Sequence, residues 1–277
     1  MMGKNWKLIG LELFTILLAL FISVPLYLVM INSFKSHQEI VTRPLALPTF
    51  SVGFDNITRA FERMDIVRAY TTTLSIEAIA VVAGIFLSSL AAYAVARINH
   101  SGFRFMYWVY MSGILIPIQS AFIPLVYTLK GMGLYNSLLG ISLVYMAVIS
   151  PFAIFVFTGF MRTLPKDLEE SAFIDGCSPF RTYLQIIFPL IKPVTATLII
   201  LQFIYIWNDL LLPLVLVSSK DYPTVSISLY KFFGARGAAD LSLLFGGISL
   251  ALLPILVIFF SFQRYFIKGL MAGAIKG

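Results

Sequence analysis

The chain has few cysteines, few charged residues and no cluster of metal-binding side chains. Its one cysteine, Cys177, has no second cysteine for an intramolecular disulfide, and its two histidines, His37 and His100, lie far apart in the sequence. These absences exclude a disulfide scaffold, a zinc site and a haem site. Only 12% of the 277 residues are charged, against the ~25% that is usual in soluble domains, while 59% are hydrophobic. This composition excludes a soluble globular protein.

The net charge of +7 does not indicate nucleic-acid binding. The basic residues are scattered between long apolar runs and do not form a continuous basic stretch. The sequence also lacks the G-x-x-x-x-G-K-[ST] pattern, so the chain is not expected to cradle nucleotide phosphates.

Six apolar runs are long enough to cross a membrane as helices, which takes about 20 residues for ~30 Å of hydrocarbon. Inside these runs only Glu12, Glu77 and Asp209 are charged. We predict an all-α integral membrane protein that forms a single transmembrane domain over residues 1–277. The predicted spans are approximately residues 8–31, 69–96, 105–129, 137–161, 194–217 and 241–262, followed by a tail over 263–277.

The distribution of basic residues predicts the topology. Six spans place both termini on one side of the membrane, and with the termini inside, 11 of the 20 Lys and Arg lie in the inner segments. Acidic residues increase this asymmetry. We predict a plasma-membrane protein with both termini in the cytosol.

The outer segment between the first two spans contains the pattern of an amphipathic helix. Its predicted apolar face carries Phe54, Ile57, Phe61 and Met64, while Asn56 lies on the predicted polar face. Such a helix would lie on the membrane surface or pack on a partner subunit.

The cytosolic segment between spans 4 and 5, about residues 163–193, is far longer than a turn between helices requires. Gly176 predicts the end of a first helix, and Ser178 with Pro179 predicts the N-cap and first residue of a second one. Pro189 is predicted to lead the chain back into the membrane. The expected product is a helix, a glycine bend and an amphipathic helix, a shape suited to docking on a soluble protein.

The spacing in this segment resembles the EAA loop in the membrane subunits of bacterial ABC importers. The matching positions are Glu170, Ser171, Ala172, Gly176, Ile186 and Pro189. Two positions depart mildly from the family pattern, since Ser171 replaces the usual Ala and Phe188 replaces the usual Leu. Four further stretches resemble carbohydrate-uptake importers, and in particular their smaller maltose permease subunit: AAYAVAR (91–97), IPIQSAFIPL (116–125), WNDLLLPL (207–214) and FIKGLMAGAIKG (266–277).

The resemblance implies a permease subunit of a binding-protein-dependent sugar importer in a bacterial or archaeal plasma membrane. Its partners would be a second permease subunit, two copies of a cytosolic ATPase, an extracytoplasmic sugar-binding protein and membrane lipid, but not nucleic acid. ATP and Mg would be held by the ATPase, and this chain would not itself be an enzyme. The residues implied to couple to the ATPase are Glu170, Ser171, Ala172, Asp175, Gly176, Ile186 and Pro189.

Candidates for the translocation path lie in spans 3 and 5. An acid at the membrane centre costs ~2.5–3.5 kcal/mol, so Asp209 is expected to face protein or water. Either it fixes span 5 to neighbouring helices, or it lines the path together with Asn208. Gln119, which lies between two prolines, and Trp207 are the other candidates.

The last outer loop carries an apolar cluster with candidates for contact with the binding protein: Phe232, Phe233, Gly234 and Arg236. Packing on the membrane surface is the alternative for this cluster.

Other functional classes explain less of the sequence. A permease for another polar solute and an ion-coupled secondary transporter are the alternatives, and the latter needs titratable groups within its spans. No catalytic constellation of a membrane enzyme is visible.

Overall fold

The computed structural model describes the backbone of residues 2–233 and 240–274 and the side chains of residues 8–233 and 240–263. The regular structure in these ranges is helical throughout, which confirms the predicted fold class. Its α-helices, in chain order, are α1 (Met2–Asn32), α2 (His37–Thr42), α3 (Asp55–Arg63), α4 (Ile66–Arg97), α5 (Ser101–Gly113), α6 (Phe122–Gly131), α7 (Leu138–Met161), α8 (Asp167–Ile174), α9 (Pro179–Thr182), α10 (Phe188–Asn208), α11 (Leu211–Leu216), α12 (Val225–Tyr230) and α13 (Leu241–Ala274).

Five helical segments in the described ranges are long and apolar enough to span a membrane: Leu8–Asn32, Ile66–Arg97, Leu138–Met161, Pro179–Asn208 and Leu241–Gln263. The third predicted span is different, because Ser101–Gly113 and Ile118–Gly131 meet at an angle of 97°. Pro117 explains the break, since proline has no N–H to continue the helical hydrogen bonds. A 3-10 turn, Ile118–Ala121, then leads into α6.

The fifth span differs from its prediction at both ends. The helix begins at Pro179 rather than near residue 194, because Pro189 lies within the first two residues of α10 and Pro193 is tolerated inside it. It ends at Asn208, where Asp209 has an extended backbone with φ −73° and ψ 126°. The predicted run to residue 217 is therefore interrupted, and α11 forms a separate short helix.

The predicted tail over 263–277 begins as part of α13, which continues to Ala274. Residues 275–277, and the side chains after Gln263, lie outside the described residues.

Two compact units can be distinguished within the chain. The first unit comprises residues 1–66 and 228–253. Lys35 is completely buried in it and donates hydrogen bonds to Asn32 Oδ1 (3.0 Å), the Arg43 carbonyl (2.9 Å) and the Pro44 carbonyl (3.1 Å). Burial lowers the pKa of Lys35, and the charge of Glu39 opposes this shift. Lys35 thereby fixes the segment that follows α1.

Helix α3 confirms the predicted amphipathic helix but not its faces. Asn56, placed on the polar face by the sequence pattern, is buried and donates to the carbonyls of Ser33 (3.1 Å) and Lys35 (2.7 Å). Gly246 allows this packing, since a Cβ there would lie 2.5 Å from the Asn56 carbonyl oxygen. Phe54 and Phe61 are exposed. Helix α3 therefore packs through the buried Asn56 side chain, which a pattern of hydrophobic residues does not predict.

The second unit comprises residues 67–227 and 254–277, and its core lies among α4, α7 and α10. Helices α4 and α7 approach closely at Gly84, where a Cβ would lie 2.9 Å from Ile149 Cδ1. Close approach through a small residue is a common way for membrane helices to pack. This unit contains the coupling segment (163–193) and all the predicted path residues.

Candidate functional site

The coupling segment begins with α8, which has three acidic residues in its first turn. Acids there are stabilised by the partial positive charge of the helix N-terminus. Ala172 is buried, whereas Glu170 and Ser171 are exposed, and the Ser171 hydroxyl donates to the Asp167 carbonyl (2.8 Å). The helix thus packs against the rest of the unit on one face and leaves Glu170 free to meet another protein.

The end of α8 depends on Gly176, as predicted. Asp175 is the C-cap and Gly176 has φ +79°, a conformation that side chains with a Cβ adopt at a cost. Cys177 N–H donates to the Ala172 carbonyl (2.9 Å) and Gly176 N–H to the Phe173 carbonyl (3.1 Å). This pair of bonds is the Schellman motif. No other atom of the described chain would lie within 4 Å of a Cβ at Gly176, so its backbone angle is what requires glycine here.

A buried ion pair fixes α8 to the end of α4. The Glu169 carboxylate accepts from Arg97 Nε (2.5 Å) and from the Tyr93 hydroxyl (2.9 Å). The Glu169 and Arg97 side chains are only 7% and 11% exposed, and Arg97 also donates to the Leu164 carbonyl (3.3 Å). We call Tyr93, Arg97 and Glu169 the clamp. The sequence analysis missed it, since no sequence pattern connects residues 72 positions apart.

The second half of the coupling segment starts as predicted, with Ser178 as N-cap and Pro179 as the first residue of α9. Its buried face includes polar as well as apolar side chains. Thr182, Tyr183 and Ile187 are buried, whereas Phe180 is exposed. The Tyr183 and Ser89 hydroxyls lie 2.6 Å apart, which connects this face to α4.

A π-helical turn over Tyr183–Ile187, which contains Ile186, follows α9. Phe188 N–H bonds to the Tyr183 carbonyl, five residues back. Pro189, the next residue, has no N–H to donate, and its ring crowds the preceding turn. The wider turn therefore adapts the helix to the proline, and α9 continues into α10 as one membrane helix.

Apolar side chains of the coupling segment are left exposed. Ile174 is 88% exposed, and Phe173 and Phe180 are about half exposed. A groove of about 500 Å³ next to them is lined by Phe173, Phe180 and the clamp. Exposed apolar clusters of this kind typically mark a surface for another protein.

The profile of the family described as "Binding-protein-dependent transport system inner membrane component" matches residues 84–271. The chain belongs to this family. The predicted resemblance to permease subunits is therefore confirmed, and this permease is a multi-pass membrane protein.

Curated relatives match over nearly their whole length. The probable starch degradation products transport system permease protein AmyC of Thermoanaerobacterium thermosulfurigenes is 34% identical, over 94% of each chain. The arabinooligosaccharides transport system permease protein AraQ of Bacillus subtilis is 32% identical, over 97% of this chain and 96% of AraQ. A solved bacterial ABC transporter that imports the acidic polysaccharide alginate has the same fold, with a TM-score of 0.78, 20% identity, and coverage of 93% of this chain and 96% of that one.

The break in the third span of this permease lines a groove of about 540 Å³. Its polar side chains are Gln119, Gln202 and Tyr205, and the other lining residues are apolar or glycine and proline. Gln119 is exposed next to Pro117 in the break, where the sequence predicts a path residue. Gln202, which the sequence analysis did not select, shares the groove with Tyr205 because both lie on the same side of α10.

The other path candidates have structural contacts. The Asp209 carboxylate accepts from the Tyr145 hydroxyl (2.8 Å) and from Leu211 N–H (3.0 Å), so it ties the end of span 5 to α7 and to the start of α11. This geometry supports the structural alternative for Asp209. Asn208 is exposed and donates to the Ile204 carbonyl (2.8 Å). Trp207 is buried and stacks on Phe203, with ring centroids 5.4 Å apart, so it is not available to stack on a solute.

The candidates for contact with a binding protein differ in how exposed they are. Phe233 is 48% exposed and lies 6.1 Å from Tyr230 between ring centroids. Phe232 is buried, and its carbonyl accepts from Asp240 N–H (3.1 Å), so its position does not support the predicted contact. Gly234 and Arg236 lie outside the described residues.

Proposed function

We propose that this chain is the transmembrane permease subunit of an ATP-driven importer that carries a carbohydrate, in particular a di- or oligosaccharide, across the plasma membrane. Relatives more than 30% identical over almost the whole chain are named for transport of starch degradation products and of arabinooligosaccharides. The family membership favours this reading over an ion-coupled secondary transporter.

The groove at the broken third span is the observation that carries the proposal. Among its lining residues there is no Asp, Glu, Lys or Arg, while two glutamine side chains and a tyrosine face it. Amide groups both donate and accept hydrogen bonds, and so do sugar hydroxyls, while an aromatic ring offers a face for a sugar ring. An uncharged lining with a few amide and hydroxyl groups suits an uncharged polyhydroxylated solute better than an ion.

We assign coupling to the exposed surface formed by α8 and α9. Glu170 with the apolar side chains Phe173, Ile174 and Phe180 would meet a cytosolic ATPase, with one copy on this permease and a second on the partner permease. The ATPase would bind ATP and Mg and carry out the hydrolysis. An extracytoplasmic binding protein would deliver the sugar, and both termini of this chain would lie in the cytosol.

Transport by the reconstituted complex tests the proposal. The permease is co-expressed with its cognate ATPase, second permease and binding protein, and the complex is placed in proteoliposomes with ATP inside. We expect uptake of a radiolabelled oligosaccharide that requires both ATP and the binding protein. Uptake that an ion gradient drives without ATP would refute it.

Substitutions in the groove separate solute recognition from assembly. Gln119→Ala should lower uptake at subsaturating sugar by about tenfold, because lost hydrogen bonds to the solute weaken binding by about 1.4 kcal/mol. Thr128→Ala on α6, whose hydroxyl donates to the Pro124 carbonyl (2.8 Å), is the matched control outside the groove. Equal uptake by both variants would show that Gln119 does not contact the transported solute.

A further inference from the structure

A third cavity, of about 400 Å³, lies where α4, α5 and α7 end or begin. Its lining includes five basic side chains: Arg97, His100, Arg104, Arg162 and Lys166. Asn99 also lines the cavity, and no Asp or Glu is among the lining residues. The volume is within the ~300–1,000 Å³ of small-molecule sites.

Most of the charge in this cavity is not neutralised within the chain. Arg97 is paired with Glu169 in the clamp. Arg104 donates to the neutral Asn99 Oδ1 (3.2 Å), and Arg162 lies over the Tyr107 ring, 5.8 Å from its centroid. Among the side chains that the structure describes, no ion pair involves Arg104, Arg162 or Lys166. An anion would therefore find three cations without a competing carboxylate.

An exposed apolar surface adjoins the cavity along α5. Trp108, which lines the cavity, is 64% exposed, and Phe105, Met106 and Val109 are all more than half exposed. The Tyr107 and Trp108 rings meet edge to face, with centroids 5.7 Å apart. Trp and Tyr are typical of the membrane–water interface, where a polar head and apolar chains meet. The surface thus combines an anion site with an apolar wall.

We propose that this cavity binds the phosphate headgroup of an anionic membrane phospholipid, with the acyl chains along the exposed face of α5. The position at the ends of membrane helices places the basic side chains at headgroup depth, and basic pockets between transmembrane helices are suited to anionic lipid headgroups. A soluble phosphate would use only the charges, whereas a lipid also covers the apolar wall. The proposal requires only that the chain lies in a membrane, and it is independent of the transported solute.

Native mass spectrometry of the purified importer complex tests this site. The probes are dioleoyl-phosphatidylglycerol and dioleoyl-phosphatidylcholine, which share their acyl chains and differ in net charge, and sn-glycerol 3-phosphate as a headgroup without chains. We expect the anionic lipid to bind at least tenfold more tightly than the zwitterionic one. Equal binding of the two lipids, or displacement of the anionic lipid by glycerol phosphate at equal concentration, would overturn the lipid assignment.

Charge removal tests the residues. The double variant Arg104→Gln and Arg162→Gln should weaken binding of the anionic lipid about 25-fold, about fivefold for each basic residue lost near the membrane surface. Lys192→Gln removes an exposed charge of the same sign on α10 outside the cavity and is the matched control. Equal affinity in the double variant and the control would refute the site.

Photo-crosslinking tests the site in the unmodified complex, so the result does not depend on whether a variant folds. A phosphatidylglycerol with a diazirine near its glycerol backbone is added to the unmodified complex, and labelled peptides are mapped. We expect label on α5 around Tyr107 and Trp108. An excess of phosphatidylglycerol without the diazirine should remove this label by competition. Label confined to other helices, or a peptide of the second permease found crosslinked to this cavity by a zero-length reagent, would show that lipid does not occupy it.

Discussion

Replacing Glu169 with glutamine tests whether the clamp holds the coupling segment to α4. The carboxylate accepts from two donors, Arg97 Nε at 2.5 Å and the Tyr93 hydroxyl at 2.9 Å, in a site where its side chain is 7% exposed. Removing one charge of a buried pair costs about 3–5 kcal/mol, because the other charge is left uncompensated. Glutamine keeps one acceptor, and Arg97 is partly exposed, so we expect a loss of roughly 2–3 kcal/mol.

The loss should be local, because α8 is held to α4 by this pair at the edge of the unit. Hydrogen exchange of the amides of residues 164–177 in the detergent-purified permease should accelerate roughly 30- to 150-fold, the equivalent of that free energy. Glu170→Gln is the matched control, since this neighbouring acid is exposed and should change exchange in the detergent-purified permease by less than about threefold.

A double-mutant cycle gives the refuting result. If Glu169 and Arg97 stabilise one contact, then Arg97→Gln in the Glu169→Gln background should add little further loss, with a coupling of about 1–3 kcal/mol. Solute-stimulated ATP hydrolysis by the assembled complex should fall in both single variants. Additive effects of the two substitutions, or unchanged exchange over residues 164–177, would show that the clamp does not hold α8.

Substitutions at five further positions, with one exposed control, have expected outcomes. Gly176→Ala should cost about 1–2 kcal/mol at φ +79°, seen as faster proteolysis at the bend, and unchanged cleavage would contradict the strain. Tyr145→Phe should lower the thermal stability of the complex by about 1–2 kcal/mol through loss of the 2.8 Å bond to Asp209, and Asp209→Asn by less. Glu77→Met, which keeps the side-chain length and removes both oxygens, should raise that stability by about 1–3 kcal/mol, since neither buried carboxylate oxygen has a hydrogen-bond partner in the described chain, and a decrease would contradict this reasoning. Lys35→Met should destabilise by about 2–4 kcal/mol in urea unfolding, as three acceptors lose their donor, whereas an exposed control, Lys220→Met, should not.

The features that could be predicted are those that depend on residues close together in the sequence. Hydrophobic run length is sufficient to find membrane helices, because a spanning helix must satisfy its own backbone and therefore needs a minimum apolar length. The bend at Gly176 and the cap at Ser178 follow from single residues whose conformational preferences are strong. These preferences of Gly176 and Ser178 also made it possible to locate the coupling segment in the sequence.

Contacts between distant residues account for what was not predicted. Asn56 looks like a surface residue in a helical pattern, and only the fold shows that two carbonyls without helical partners accept from it. Glu169 and Glu170 are adjacent acids with similar local sequence, yet the first is buried in the clamp and the second is exposed. Pro117 marks the break in span 3, which the length of the apolar run does not show. Pro189 does not interrupt the helix, since a π-helical turn allows the helix to continue.

The continuity of α9 with α10 changes how the coupling segment can act on the groove. If the second helix were separate, as the sequence predicts, a force on it would reach the membrane only through the loop at Pro189. In the structure the helix from Pro179 to Asn208 is one element, and it carries Gln202 and Tyr205 into the groove. Its far end is held to α7 through Asp209 and Tyr145. A displacement of the docked segment would therefore reach the groove directly along this helix, while the clamp would deliver the same displacement to α4.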